Sequence, residues 1–157
     1  MTFTVTSTSF TDGSALPDAQ VYAEGNRSPQ LSWSGAPEGT RSFAITCFDP
    51  DAPTGSGFWH WTVANIPADV TALDEGASSA GLPKGAVEGR TDFGPPGFGG
   101  AAPPQGHGPH RYIFTVFAVD AERLDVTPDN SGAIFGFNLH FHTLARASIT
   151  GIYENRG

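Results

Sequence analysis

Lysine occurs once, at Lys84, and lysine plus arginine number 8 against 16 acidic residues, a formal net charge of −8. So few cations leave no electrostatic footprint for nucleic acid. They also exclude adhesion to an anionic membrane surface through a basic patch. Cysteine occurs once, at Cys47, so no internal disulfide can form, and the chain is compatible with a reducing compartment. Met1 to Phe10 has neither a basic start nor an apolar core like that of a signal peptide, and no apolar run approaches membrane-spanning length. We therefore expect a cytoplasmic protein without stable membrane insertion. A Gly-x-Ser-x-Gly elbow is also missing and Cys47 sits mid-strand, so nucleophilic catalysis has no evident actor.

What the chain does have is glycine (20), proline (13) and phenylalanine (12), with 38% hydrophobic but only 15% charged residues. That mix suits a loop-rich β protein, and 157 residues suffice for one domain, 1–157, with a core of its own. Thr2 to Phe10 alternates like a half-buried edge strand, and the stretch from Asp12 to Asn26 reads as a loop with a short strand near Val21 and Tyr22. Leu31–Trp33, Ser42–Phe48, Phe58–Ile66 and His110–Val119 read as further strands, the last apolar on both faces and hence central. Ile134, Phe137, Phe141, Leu144 and Ala145 recur at helical spacing, which predicts one amphipathic helix whose apolar face is this set. Ser148 to Tyr153 closes the chain as a short strand. The expected fold is mainly β (α+β at most): an antiparallel β-sandwich with one C-terminal helix and short peripheral helices.

The organising stretch is Phe48-Asp-Pro-Asp-Ala-Pro53, followed by Phe58-Trp-His-Trp61. Asp49 arrives where an apolar strand should stop, and Pro50 and Pro53 force the chain out of the sheet. Strict alternation in the next strand places Phe58, His60, Thr62 and Ala64 on one face and Trp59, Trp61, Val63 and Asn65 on the other. No periodic element is evident between Pro67 and Pro109. The part from Phe93 to Pro109 carries no Asp, Glu, Lys or Arg, and it reads as either a solvated linker or a stiffened wall beside a site. It ends at His110, which shares a strand face with Tyr112 and Phe114.

Asp49, His60, His110 and Tyr112 are thus polar groups at the ends of apolar strands. Either Asp49 or Asp51 could merely cap the turn, and each histidine could be a satisfied core residue. His107 and His110, with Asp49 and His60, could also form a metal set, but the pair lies in a Gly/Pro loop, and we expect no metal and no cofactor. His140 and His142, two apart on a helix, do not face each other. Arg111 should point away from the face shared by His110 and Tyr112.

Together the residues Asp49-Pro-Asp-Ala-Pro53, Trp59-His-Trp61 running into Val63-Ala-Asn65, Pro103-Pro104, and Gly108-Pro-His-Arg-Tyr112 resemble the phosphatidylethanolamine-binding protein family. Raf kinase inhibitor protein belongs to it, and this chain is most similar to its bacterial branch. The resemblance spans almost the whole chain. It implies a Greek-key β-sandwich with a small anion pocket made by Asp49, His60, His110 and Tyr112 and rimmed by Pro53, backbone around Gly100, and Pro103. It further implies a non-enzymatic protein recognising phosphate-like anions or phospholipid headgroups. Modulation of a kinase or protease, a metal-assisted hydrolase, and a homodimer are the alternatives that bear on partners. Ala102 departs from the family pattern, where animal members carry glycine before the proline pair.

Overall fold

The computed structural model describes residues 2–78 and 80–157. In chain order its strands are β1 (Thr4–Thr6), β2 (Leu31–Ser34), β3 (Ser42–Asp49), β4 (Phe58–Pro67), β5 (Ala72–Leu73), β6 (Val87–Glu88), β7 (His110–Val119) and β8 (Thr143–Tyr153). One helix, α1 (Gly132–His142), precedes β8, and a single 3₁₀ turn covers Asp18–Gln20. The strands form two antiparallel sheets, ordered β1-β2-β5 and β6-β4-β3-β7-β8.

Three layers result, and the sequence explains them. The strands β3 and β7 are apolar on both faces because both faces are covered. One face meets the small sheet: Ile45, Cys47, Val63, Phe114 and Val116 share a core with Val5, Leu31, Trp33 and Leu73. The other face carries Ala44, Ala64, Phe117 and Val119, which meet Phe135 and Leu139 of α1. Small residues on that side let the helix approach, and Gly132 fits against the Trp59 ring, where a Cβ would lie 2.3 Å from a ring carbon.

Strict alternation does not survive in β4. Phe48 pairs with Trp59 but Cys47 with Trp61, and Ile45 pairs with Val63 but Phe43 with Ile66. Two β-bulges therefore interrupt the β3–β4 ladder, one taking in His60 and one taking in Asn65, which stands at φ 62°. After the first bulge, Trp61 and Val63 join the inter-sheet core. Ala64 turns to the helix side, and so does Thr62, whose hydroxyl lies beside the same Gly89 that faces Phe135. The expected grouping of His60 with Thr62 and Ala64 is thus corrected.

The helix expectation needs a second correction. Gly132, Phe135 and Leu139 are its buried residues, whereas Ile134, Phe137 and Phe141 face outward, Phe137 being 64% exposed and Phe141 62%. Both sets have helical spacing, so the pattern alone could not choose between them. Leu144 and Ala145 lie beyond the helix, which Thr143 ends by donating its N–H and hydroxyl to the Leu139 carbonyl. The chain passes directly into β8, which pairs with β7 from Thr143 to Tyr153 and is far longer than the expected segment from Ser148. At the front of the chain, β1 shrinks to three residues at the edge of the small sheet, and Val21 makes one isolated bridge to Ala101.

Candidate functional site

Asp49 ends β3, His60 lies near the start of β4 and His110 opens β7, so antiparallel pairing gathers them at one end of the large sheet. They meet at a depression of about 200 Å³ whose lining includes Asp49, Pro53, His60, Pro103, His110 and Tyr112. Phe58, Phe93 and Pro104 contribute further apolar wall. The Phe93–Pro109 segment is this wall rather than a linker. Gly99 donates its N–H to the His60 carbonyl (2.9 Å), Ala101 to that of Gln20 (3.0 Å) and Gly106 to that of Asn155 (2.9 Å).

Gly100 is not itself a lining residue, but its backbone lies within reach of His60, which lines the depression. Its N–H is taken by Asn26 Oδ1 at 2.7 Å, and a Cβ there would strike the Gln20 carbonyl oxygen at 2.3 Å. Glycine is required by this close packing of two backbones. Ala102, the departure from the family pattern, does line the depression.

Each polar side chain has a defined setting. Asp49 is 2% exposed, and both its oxygens accept: Oδ1 from the Asp51 N–H (2.7 Å) and Oδ2 from His110 Nδ1 (2.7 Å). The turn-capping and histidine-orienting roles therefore coexist in one carboxylate. Because a carboxylate only accepts, His110 carries its proton at Nδ1, and its Nε2 lies 2.6 Å from Nδ1 of His107.

His60 is held differently. Its Nδ1 donates to the Gly99 carbonyl at 2.8 Å, which leaves Nε2 as the remaining nitrogen. Burial lowers its pKa below the ordinary imidazole value, and the opposing pull of the Gly99 carbonyl and the Asp49 charge is smaller. The Asp49 charge favours the imidazolium, but desolvation outweighs that attraction. Tyr112 is 1% exposed, and its hydroxyl has no hydrogen-bond partner of ordinary geometry among the described residues. Burial, reinforced by the Asp49 charge, pushes its pKa up against a weaker pull from the Ala102 backbone, so it stays a phenol able to donate.

Arg111 leaves the site. Its Nε and Nη2 form a two-pronged pair with Asp51 at 2.9 and 2.8 Å, which holds the Asp51 carboxyl down to about 2. Among the described residues no group of three or more His, Cys, Asp or Glu side chains is arranged to hold a metal ion. Sequence reasoning missed the aromatic wall of Phe58 and Phe93 around His60, whose rings sit 4.8 and 5.5 Å from the imidazole. Phe58 lay on the expected face, but Phe93 reaches it only through the fold of the long loop.

Comparison with known proteins agrees with this architecture. A family model described as phosphatidylethanolamine-binding protein matches residues 6–154. The UPF0098 protein YbhB of Escherichia coli K12 is 53% identical over 150 residues, covering 91% of this chain and 94% of its own. The crystal structure of E. coli YbcL, described as a new member of the mammalian PEBP family, superposes with a TM-score of 0.95 at 51% identity, covering 97% and 98% of the two chains. A Chlamydia trachomatis homologue of phosphatidylethanolamine-binding protein reaches a TM-score of 0.84 at 28% identity, covering 98% and 97%. With a family match over nearly its full length and relatives above half identity, the chain belongs to the phosphatidylethanolamine-binding protein family.

Proposed function

We propose that the depression beside Asp49 binds a tetrahedral oxyanion, either a phosphate-like group free in solution or the headgroup phosphate of a phospholipid, and that the protein is a binding protein without catalytic activity. Family membership supports a binding role. The observation that carries the ligand class is the Tyr112 hydroxyl, a buried donor without a partner of ordinary geometry among the described residues, at an apolar-walled opening beside two imidazoles. A buried hydroxyl left unpaired is costly, and an oxyanion is the acceptor that would satisfy it. The walls of Phe58, Phe93 and the proline pair exclude water, which strengthens any charge-assisted hydrogen bond. Pro53, His60, Pro103 and His110 are the residues expected to surround the ligand, with Asp49 positioning His110.

Calorimetric titration with inorganic sulfate, inorganic phosphate and O-phosphorylethanolamine tests the reading. Binding of all three supports a site for the oxyanion itself, and preference for the last favours the headgroup. Heat indistinguishable from dilution for all three sinks the proposal. Incubation with phosphomonoester, phosphodiester and carboxylic ester substrates, with and without divalent metal, should give no turnover. Hydrolysis that vanishes in Asp49→Asn would replace the binding reading with an enzymatic one.

A further inference from the structure

Both nitrogens of His110 are already engaged. Nδ1 is held by Asp49, which is buried, and Nε2 by His107, which is exposed. Any ligand that hydrogen-bonds to His110 must therefore displace one of the two. Asp49 is fixed from two sides, by His110 and by the Asp51 N–H. Among the described residues His107 is otherwise tethered only by its backbone N–H, which donates to the Pro104 carbonyl at 3.1 Å. The residues flanking His107 are Gly106 at φ 76° and Gly108 at φ 95°, and a Cβ at either would meet nothing within 4 Å. The imidazole thus stands between two left-handed glycines, each with open space where a side chain would be.

We propose that His107 is a gate: in the unliganded protein its ring occupies Nε2 of His110, and an incoming oxyanion takes that place while the ring swings outward between Gly106 and Gly108. The inference rests on the oxyanion reading given above. The exchange also dictates a proton change. With Nδ1–H committed to Asp49, neutral His110 offers Nε2 as a lone pair, which accepts from His107 Nδ1–H. A sulfate has no hydrogen to give, so His110 must gain a proton at Nε2 as His107 leaves, and that proton comes from solvent, because a neutral His107 ring keeps its own. The bound state is then an imidazolium between the Asp49 carboxylate and the anion. The other polar or charged groups around that imidazolium are His60, on β4, Tyr112, on β7, Thr54 in the same lining, and the Asp51 carboxylate, which feels the His110 charge.

The test compares inorganic sulfate binding to wild type and His107→Ala, a change at an exposed position. A gate that competes with the ligand should, when removed, tighten sulfate binding by roughly fivefold, the worth of one neutral hydrogen bond. The gain should be the same for inorganic phosphate and for O-phosphorylethanolamine, since both meet the same nitrogen. Wild-type binding that is unchanged or weakened in His107→Ala overturns the gate and leaves the pocket reading intact. Absence of binding in both proteins overturns the pocket reading and the gate together. Imidazole nitrogen NMR adds a direct readout. On saturation with sulfate the His107 nitrogens should move to values typical of a solvated ring, and a His107 signal that stays unchanged in the saturated wild type also overturns the proposal.

Discussion

The Asp49 carboxylate and the His110 imidazole face each other at 2.7 Å across the β3–β7 pair, with side chains only 3% and 2% exposed. A contact so deep is part of the fold as well as of the site. Removing the carboxylate leaves the neutral imidazole with a buried, unsatisfied N–H, which costs about 1–3 kcal/mol. Asp49→Ala should therefore lower unfolding stability by about that amount in urea titration and abolish sulfate binding. Loss of binding with stability unchanged would show that the pair contributes nothing to the fold.

Tyr112→Phe makes the opposite prediction. The hydroxyl has no hydrogen-bond partner of ordinary geometry among the described residues, so its removal should leave stability unchanged or raise it by up to about 1 kcal/mol. Sulfate affinity should nevertheless fall by about ten- to a hundredfold, the loss of one hydrogen bond to a charged group. Equal affinity in the two proteins would take Tyr112 out of the site.

His60 sets the pH response of the free protein. Its folded pKa lies below the ordinary value of 6.5, so the unfolded chain binds the proton first as pH falls. The native state is therefore favoured above about pH 6.5 and loses stability as pH drops from there towards the folded value. His60→Gln should abolish that part of the slope in denaturant titrations between about pH 7 and pH 5. An unchanged slope in His60→Gln would contradict the assignment.

Arg111 serves as a control. It lies outside the depression and holds Asp51 down to about 2 from an ordinary 3.8. Arg111→Ala should leave sulfate affinity within about twofold, since the residue touches no part of the site. A depressed carboxyl stabilises above its unfolded value and loses that contribution as pH falls through its folded one. The stability difference between wild type and Arg111→Ala should therefore be full above pH 3.8 and shrink towards about pH 2 in acid unfolding.

The sheet and the polar end-groups were legible because they obey local rules. Proline after Asp49 stops β3, and period two groups His110 with Tyr112 and separates them from Arg111. Three things were not legible. The helix carries apolar residues on two faces, and only tertiary contact decides that Phe135 and Leu139 go inward while Phe137 and Phe141 stay out. The charge state of His60 depends on how much water burial removes, which depends on Phe93 arriving from 33 residues further along the chain. The bulges in β4 leave no composition signal, because neither His60 nor Asn65 is a glycine.

Those bulges can be counted. From Asp49 opposite Phe58 to Ser42 opposite Pro67, β3 spends 8 residues and β4 spends 10. The surplus of two corresponds to the two bulges, and each contains a polar residue with its own part to play. His60 faces the ligand depression, and the Asn65 side chain accepts the Leu124 N–H at 2.7 Å. Every apolar pairing of the hairpin is complete without them. In evolutionary terms, His60 has the standing of an insertion into a finished ladder. A chain from which it was deleted would retain the partners of Trp61 and Trp59 and lose the imidazole and the carbonyl that accepts the Gly99 N–H, whereas deletion of Trp61 would pull the histidine into register and turn the tryptophan's place in the core over to it. The fold can therefore gain or shed this half of its site one residue at a time, without renegotiating the sandwich beneath.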